Sequence, residues 1–142
     1  MRKELDEALC NKYPEIFRDR NGDMRTTAMC WGFECGDGWY NIIDAACAQI
    51  ENRAYNNRLN GEKFHQVIAT QVKEKYGTLR FYYTGGDDYV DGIVSMAESM
   101  SAVTCEVCGN PGKTLEGGWV RTLCRTHAEE QHYDYDYKEM ED

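Results

Sequence analysis

Four residues near the C-terminus have the types and the spacing of a metal site. Cys105 and Cys108 are separated by two residues, and Cys124 and His127 follow with the same separation after fifteen intervening residues. Thiolates and imidazoles are the ligands that zinc prefers, and two such pairs are typical of tetrahedral zinc sites. The sequence therefore predicts that Cys105, Cys108, Cys124 and His127 bind Zn²⁺.

The number of ligands indicates what this metal would do. Four protein ligands complete a tetrahedron, whereas a catalytic zinc usually keeps one position open for water or substrate. The residues between the two pairs contain no histidine and a single acid, Glu116. We therefore expect a structural zinc and predict no catalytic residues. His132 is the alternative fourth ligand, at a longer separation from Cys124.

The local elements expected here would bring the two pairs together. Residues 105–112 read "CEVCGNPG", a tight turn in which both sulfurs can face one cation. The second pair suits the first turn of a helix, where the partial positive charge of the helix terminus favours a thiolate. A turn, strands and a helix start that each contribute to one site resemble the treble-clef arrangement. We therefore assign residues 104–132 to a treble-clef-like zinc module.

Residues 1–103 have the pattern of an α+β body. Apolar residues at three- and four-residue steps predict a helix over 38–59 with Asp37 as its cap, and a second helix that begins at Asp87 and Asp88. Two runs at 64–74 and 78–84 are rich in Val, Ile, Thr, Phe and Tyr, which predicts a β-hairpin over 64–84. The expected fold class is α+β, with helices packed on a short antiparallel β-hairpin and a C-terminal zinc module.

Two further features are candidates for binding. The loop over residues 29–40 combines aromatic side chains with three glycines, which indicates a ligand pocket or interface, or else a plug for the core. Its aromatic residues are Trp31, Phe33, Trp39 and Tyr40.

The outer face of the hairpin is the second candidate. Gln71, Lys73 and Lys75 alternate onto one face of the first strand, and Arg80 and Tyr82 onto one face of the second. If the register aligns them, they form a basic patch with an aromatic edge that could hold a phosphate or an acidic group. An ordinary solvated strand face is the alternative.

Four other cysteines, Cys10, Cys30, Cys35 and Cys47, are open to several interpretations. They could be small buried apolar residues. Cys30 and Cys35 could instead converge with Cys10 or Cys47 on a second zinc ion. A cysteine paired with His65 for catalysis is the third possibility.

Charge and hydropathy exclude some classes of function. The formal net charge is −9, of which −6 belongs to residues 128–142, so that 133–142 form an acidic tail. The clustered cations needed for direct nonspecific nucleic-acid binding are therefore not expected. The tail could contact a basic partner, imitate nucleic acid or serve as a solvated terminus. No apolar run is long enough to span a membrane, and the N-terminus lacks the apolar run of a secretory signal, so we expect a cytoplasmic protein.

Three segments together resemble a known group of proteins. "ECGDGWYNII" (34–43), "QVKEKYGTLRFYY" (71–83) and the terminal Cys3His unit are similar to segments of small, mostly uncharacterised proteins of bacteriophages and prophages. The similarity spans about residues 29–127. It implies a phage accessory protein in the host bacterial cytoplasm and carries over no catalytic residue.

The predicted function combines this resemblance with the residues. We predict a non-enzymatic, phage-encoded zinc-binding protein that binds and inhibits a host protein, such as a bacterial defence effector, in an anti-CRISPR-like manner. One alternative is a binder that sequesters a nucleotide signal through Lys73, Arg80, Tyr82 and the tryptophans. A small hydrolase is the other alternative.

Overall fold

The chain folds into four α-helices and five β-strands over residues 1–137, the part that the computed structural model describes. Short 3-10 turns connect several of them, at Arg18–Asn21, Met29–Trp31 and Asp37–Trp39. The predicted α+β class is confirmed. The elements in chain order are α1 (Lys3–Lys12), β1 (Phe33–Glu34), α2 (Tyr40–Leu59), β2 (Ile68–Lys75), β3 (Thr78–Thr84), α3 (Asp88–Ser101), β4 (Lys113–Leu115), β5 (Arg121–Leu123) and α4 (Arg125–Glu130).

The predicted hairpin is present and belongs to a larger sheet. β2 and β3 pair antiparallel, and β1 adds to the free edge of β2 in parallel, with Phe33 opposite Val72. The sequence did not indicate β1, because two residues are too few to show the alternation by which a strand is recognised. The predicted first strand was also too long, since residues 64–67 precede β2.

The β2–β3 turn is a two-residue loop formed by Tyr76 and Gly77. Both residues have positive φ angles, +52° and +82°. Positive φ at both central positions is the hallmark of the type I′ turn, whose twist matches that of the strands it joins. Glycine adopts this conformation readily and tyrosine rarely does, so the turn holds Tyr76 in an uncommon backbone state.

The main core lies between one face of the sheet and helices α1, α2 and α3. Its buried residues follow the expected periodicities, with Ile43, Cys47 and Ile50 on α2 and Leu79 and Phe81 on β3. A separate, smaller cluster supports the C-terminal elements, and its buried members are Cys105, Leu115, Leu123, Cys124 and Ala128.

The two predicted helix caps have different outcomes. Asp87 caps α3, since its carboxylate accepts a hydrogen bond from the backbone N–H of Val90 at 3.1 Å. Asp37 does not cap α2: a 3-10 turn precedes that helix, which begins at Tyr40, and Asp37 instead accepts from the backbone N–H of Arg2 at 2.8 Å. The prediction was wrong because the Asp37 carboxylate is taken up by Arg2, a residue distant in sequence, which local spacing cannot reveal.

The acidic tail is only partly within the described range. Tyr135 lies between Lys113 and Arg125, whose cationic groups are 4.3 and 4.6 Å from its ring centroid, and Arg125 forms two 2.9 Å hydrogen bonds with Asp136. The beginning of the tail therefore packs on the C-terminal module. Residues 138–142, including the acids Glu139, Glu141 and Asp142, lie outside the described residues.

Candidate metal centre

The four predicted ligands come from two structural elements. Cys105 and Cys108 lie in the turn that precedes β4, and Cys124 and His127 lie at the start of α4. Cys124 is the N-cap of α4, and its sulfur is 3.5 Å from the backbone nitrogen of His127. The β4–β5 hairpin connects the two elements and brings the ligand pairs together.

The ligand atoms of these four residues all lie within 4.8 Å of one another. The sulfurs of Cys108 and Cys124 are 3.8 Å apart, and Nδ1 of His127 is 3.6 Å from the sulfur of Cys105 and 3.2 Å from that of Cys124. A tetrahedral zinc with its usual bond lengths separates two sulfurs by about 3.8 Å and a sulfur from a nitrogen by about 3.6 Å. The donor set and its spacing therefore fit a tetrahedral metal ion. His132 is exposed and is not part of this cluster.

The backbone around Cys105 favours its thiolate form. Burial raises the pKa of Cys105. Backbone hydrogen bonds at Cys124, Cys108 and Val107 lower it by more, so that the pKa falls below its usual value, to about 7. Gly109 closes the turn by donating from its N–H to the carbonyl of Cys105 at 2.9 Å, with a φ of +81°. The turn thus stabilises negative charge at Cys105, whereas burial and the neighbouring sulfurs raise the pKa of Cys108 to about 11.

The aromatic–glycine loop packs directly on this turn. The backbone N–H of Gly38 donates to the carbonyl of Glu106 at 2.8 Å, and that of Gly36 donates to the Glu106 carboxylate at 2.9 Å. The indole N–H of Trp39 donates to the carbonyl of Thr104 at 2.9 Å. Residues 29–40 therefore connect the candidate metal centre to the body of the protein.

This packing changes the role of two predicted binding residues. Trp39 has no exposed surface and Phe33 is 3% exposed, so both belong to the core, although Phe33 also lines the cavity that contains Trp31. Trp31 is 61% exposed and lines a separate cavity of about 560 Å³ together with Asp6 and Arg20. Tyr40 is half-buried. The four aromatic residues therefore do not form one binding surface.

The basic patch on the hairpin has the predicted alignment. The register places Lys73 directly opposite Arg80, and Gln71 opposite Tyr82. Lys73 and Arg80 are half-buried, and Tyr82 is exposed. That this face binds an anion stays a prediction.

Sequence reasoning missed two aromatic residues beside this patch. Tyr76 and Trp119, which are 73% and 70% exposed, line a cavity of about 500 Å³ with Lys73 and Lys75. Trp119 lies in the loop between β4 and β5, distant in sequence from the hairpin. A tryptophan after two glycines (Gly117-Gly118-Trp119) was the one signal that could have indicated an exposed ring.

The remaining cysteines do not form a second metal cluster within residues 1–137. Cys35 and Cys47 are buried, and burial raises the pKa of Cys35 to about 12. Burial likewise raises the pKa of Cys10 to about 11, with the nearby Asp6 carboxylate adding to the effect. The buried Cys35 and Cys47 therefore fit the role of small apolar residues, and in this part of the chain no hydrogen bond joins a cysteine to His65.

An apolar groove runs between α2 and α3. Its volume is about 590 Å³, and Asp88 is the one charged residue among those that line it. Small residues line part of the groove: Ala45, Ala46, Gly92 and Ala97. Large side chains line the rest: Tyr89, Ile93, Met96 and Met100.

No protein-family model matches this chain, and no curated protein or solved structure is significantly similar to it. The site and the fold therefore define the class: an α+β protein with a Cys3His cluster suited to a metal ion. The similarity to phage proteins stays a prediction. No helix in the described range is both long enough and apolar enough to cross a bilayer.

Proposed function

We propose that Cys105, Cys108, Cys124 and His127 hold one structural Zn²⁺ in a treble-clef-like module. The order of elements supports this assignment: a turn with two ligands, a two-stranded hairpin and a helix that begins with the other two. Four protein ligands leave a tetrahedral ion without an open position, so the metal would stabilise the fold. Glu130 lies 3.9 Å from Nε2 of His127 and can orient the ring with Nδ1 towards the sulfurs.

We further propose that the protein is non-enzymatic and acts by binding another protein. In this proposal it is a phage product in the host bacterial cytoplasm, and its target is a host protein such as a defence effector. The observation that carries the binding role is the groove between α2 and α3, because a concave surface lined mainly by apolar side chains is typical of binding sites.

The α3 helix supports this interpretation through two separate apolar stripes. One stripe faces the core and consists of Val90, Val94, Ala97 and Ser101, all buried. The other runs through Tyr89, Ile93, Met96 and Met100, and Val103 continues it just beyond the end of the helix, with alternating spacings of four and three residues. Four of these five residues are exposed and Ile93 is half-buried. A spacing that averages 3.5 residues is the pattern by which one helix packs along another.

The expected occupant is an amphipathic helix of the partner. Small side chains on both walls allow a third helix to lie close, and flexible methionines adapt to its apolar residues. The only charge on the groove wall is the carboxylate of Asp88, and the chain as a whole carries −9. We therefore expect basic residues beside the apolar face of the partner helix.

Met96→Glu tests the groove. Met96 is 63% exposed, so the substitution should leave the fold intact while placing a charge in the apolar surface. Affinity capture from lysate of a defence-competent bacterium, followed by mass spectrometry, should recover a stoichiometric partner with the wild-type protein. We expect Met96→Glu to weaken that interaction about tenfold or more, since a buried unpaired charge is costly.

Leu59→Glu is the matched control. Leu59 is equally apolar and exposed but lies at the end of α2, outside the groove. Its variant should bind like the wild type. The absence of any stoichiometric partner, or equal binding by Met96→Glu, would contradict the proposed role of the groove.

A further inference from the structure

A cleft between two β-turn regions combines exposed aromatic rings with unpaired cations. Its walls are the end of β2 and the β2–β3 turn, with Lys73, Glu74, Lys75 and Tyr76, and the β4–β5 loop, with Gly118, Trp119 and Val120. We infer that this cleft binds a free nucleoside di- or triphosphate, with the base against Tyr76 and Trp119 and the phosphates along Lys73 and its cross-strand neighbour Arg80, which lies outside the cleft lining. This is a small-molecule site, separate from the groove between α2 and α3.

The two aromatic rings are suited to stacking. Tyr76 and Trp119 leave 73% and 70% of their surface exposed, although both lie in well-anchored segments. The backbone carbonyl of Trp119 accepts a hydrogen bond from the hydroxyl of Tyr133, and Tyr76 is held in the two-residue turn. Exposed rings on an anchored backbone can stack on bases, and stacking tolerates any of the bases.

The two walls of the cleft are also fixed relative to each other. Oγ1 of Thr122 donates to the carbonyl of Gly77 at 2.6 Å, which ties β5 to the β2–β3 turn. Gly77 packs so closely that a Cβ at this position would lie 3.0 Å from Cγ1 of Val120. The cleft is therefore part of a rigid junction between the sheet of the body and the C-terminal hairpin.

The cations of this region have no acidic partner within residues 1–137. Lys73, Lys75 and Arg80 form no ion pair there; Lys75 lies 5.7 Å from the ring centroid of Tyr76, and Arg80 donates to Thr78 and to the carbonyl of Leu79. The carboxylate of Glu74 is occupied by the backbone N–H of Gly77 at 2.8 Å. Three cations against two neighbouring carboxylates, Glu74 in the cleft and Glu34 opposite Lys73, leave this region slightly positive on a chain with a net charge of −9.

The dimensions favour a free nucleotide. A volume of about 500 Å³ lies within the usual range for small-molecule sites. Successive residues on one face of a strand are about 7 Å apart, so a short phosphate chain can extend from the rings to the Lys73–Arg80 pair. Because Glu34 is the neighbour of Lys73 on β1, we expect the anion on the other side of Lys73, towards Arg80 on β3. The overall acidity opposes a nucleic-acid polymer.

Calorimetric titration of the full chain with the eight common ribonucleoside di- and triphosphates tests the inference. We expect at least one to bind with a Kd below about 1 mM, and the matching nucleoside and inorganic phosphate to bind more weakly. Trp119→Ala should raise that Kd about tenfold, because base–aromatic stacking is lost. Lys73→Gln should raise it as well and reduce its dependence on salt.

Trp31→Ala is the matched control, since Trp31 is similarly exposed but lines a different cavity. Its variant should retain the wild-type Kd, and circular dichroism should show that all three variants fold. Three results would overturn the inference. They are no binding by any of the eight nucleotides, wild-type affinity in both Trp119→Ala and Lys73→Gln, or binding of a short oligonucleotide without binding of free nucleotides.

Discussion

Individual glycines determine how closely the aromatic–glycine loop approaches the candidate metal centre. At Gly38 the important property is space, because a Cβ there would overlap the carbonyl oxygen of Cys105 and lie 2.7 Å from the carbonyl carbon of Glu106. Gly36 is similarly close to Glu106. These are contacts between backbone segments, so no side-chain movement can relieve an added methyl group.

Gly38→Ala is therefore expected to be strongly destabilising. The loop must move away from Cys105, with loss of the Gly38–Glu106 hydrogen bond, and we expect a decrease in the free energy of unfolding of about 2–4 kcal/mol. Urea denaturation followed by circular dichroism measures this change.

Gly92→Ala is the control for the same chemical change. Gly92 lies within α3, and a Cβ there would meet no atom within 4 Å. Alanine in a helix interior should raise stability by about 0.5–1 kcal/mol. Equal changes in the free energy of unfolding for the two substitutions would contradict the role of Gly38 in the close packing of the loop.

At the scale of elements, α3 has a defined start and two apolar faces. The sequence pattern merged Val90, Val94 and Ala97 with Ile93, Met100 and Val103 into one broad stripe. The tertiary structure separates them, because α2 and the sheet together cover only one side of the helix. A stripe wider than one contact surface is thus the feature by which the groove could have been recognised from the sequence.

The cap of α3 gives a pH-dependent prediction. Partial burial raises the pKa of Asp87, but hydrogen bonds from the N–H of Val90 and from Arg53 lower it overall. A pKa that is lower in the folded state contributes stability above the unfolded value, near pH 4, and this stability is lost as the pH falls. Asp87→Asn retains a capping oxygen without the charge, so we expect it to cost about 0.5–1 kcal/mol at pH 7.

That difference between wild type and Asp87→Asn should shrink as the pH falls from 5 to about 2. Thermal unfolding at a series of pH values measures it. Asp88→Asn serves as a control, since Asp88 is exposed and does not cap the helix, and should give a smaller loss at pH 7. A difference that is independent of pH would contradict the assigned role of the Asp87 charge.

At the scale of the whole molecule, the C-terminal module and the body share structural contacts. Three hydrogen bonds join them: Trp39 to Thr104, Gly38 to Glu106, and Gly77 to Thr122. In small zinc modules the metal contributes about 10–16 kcal/mol of apparent binding energy to folding. If Zn²⁺ occupies the Cys3His cluster, its removal should also loosen the segments of the body that contact the module.

Removal of the metal by EDTA should therefore have a defined spatial pattern. We expect hydrogen exchange to accelerate first over residues 104–132, next over 36–39 and 76–77, and least in the α2 core. Mass spectrometry of exchange, with metal content measured in parallel, provides the test. Unchanged exchange over 104–132, or protein that contains no metal when prepared without chelator, would disprove the structural-zinc proposal.

Cys124→Ser and His132→Ala separate the two candidate ligand sets. Cys124→Ser should abolish stoichiometric metal binding, since it removes one of the four converging ligands. His132→Ala should retain one metal per chain, because His132 lies outside the cluster. A loss of metal in His132→Ala would instead favour the alternative fourth ligand.

The sequence by itself determined the features that depend on local spacing. The β2–β3 hairpin with its face of Lys73 and Arg80 and the Asp87 cap follow from neighbours a few residues apart, and the Cys3His ligand set follows from two such pairs with fifteen residues between them. Only the tertiary structure decided which side chains remain exposed. Trp39 and Trp119 are the same residue type in glycine-rich segments, yet one is fully buried and the other is exposed. Burial depends on which distant segments pack against a residue, and local spacing carries no information about that.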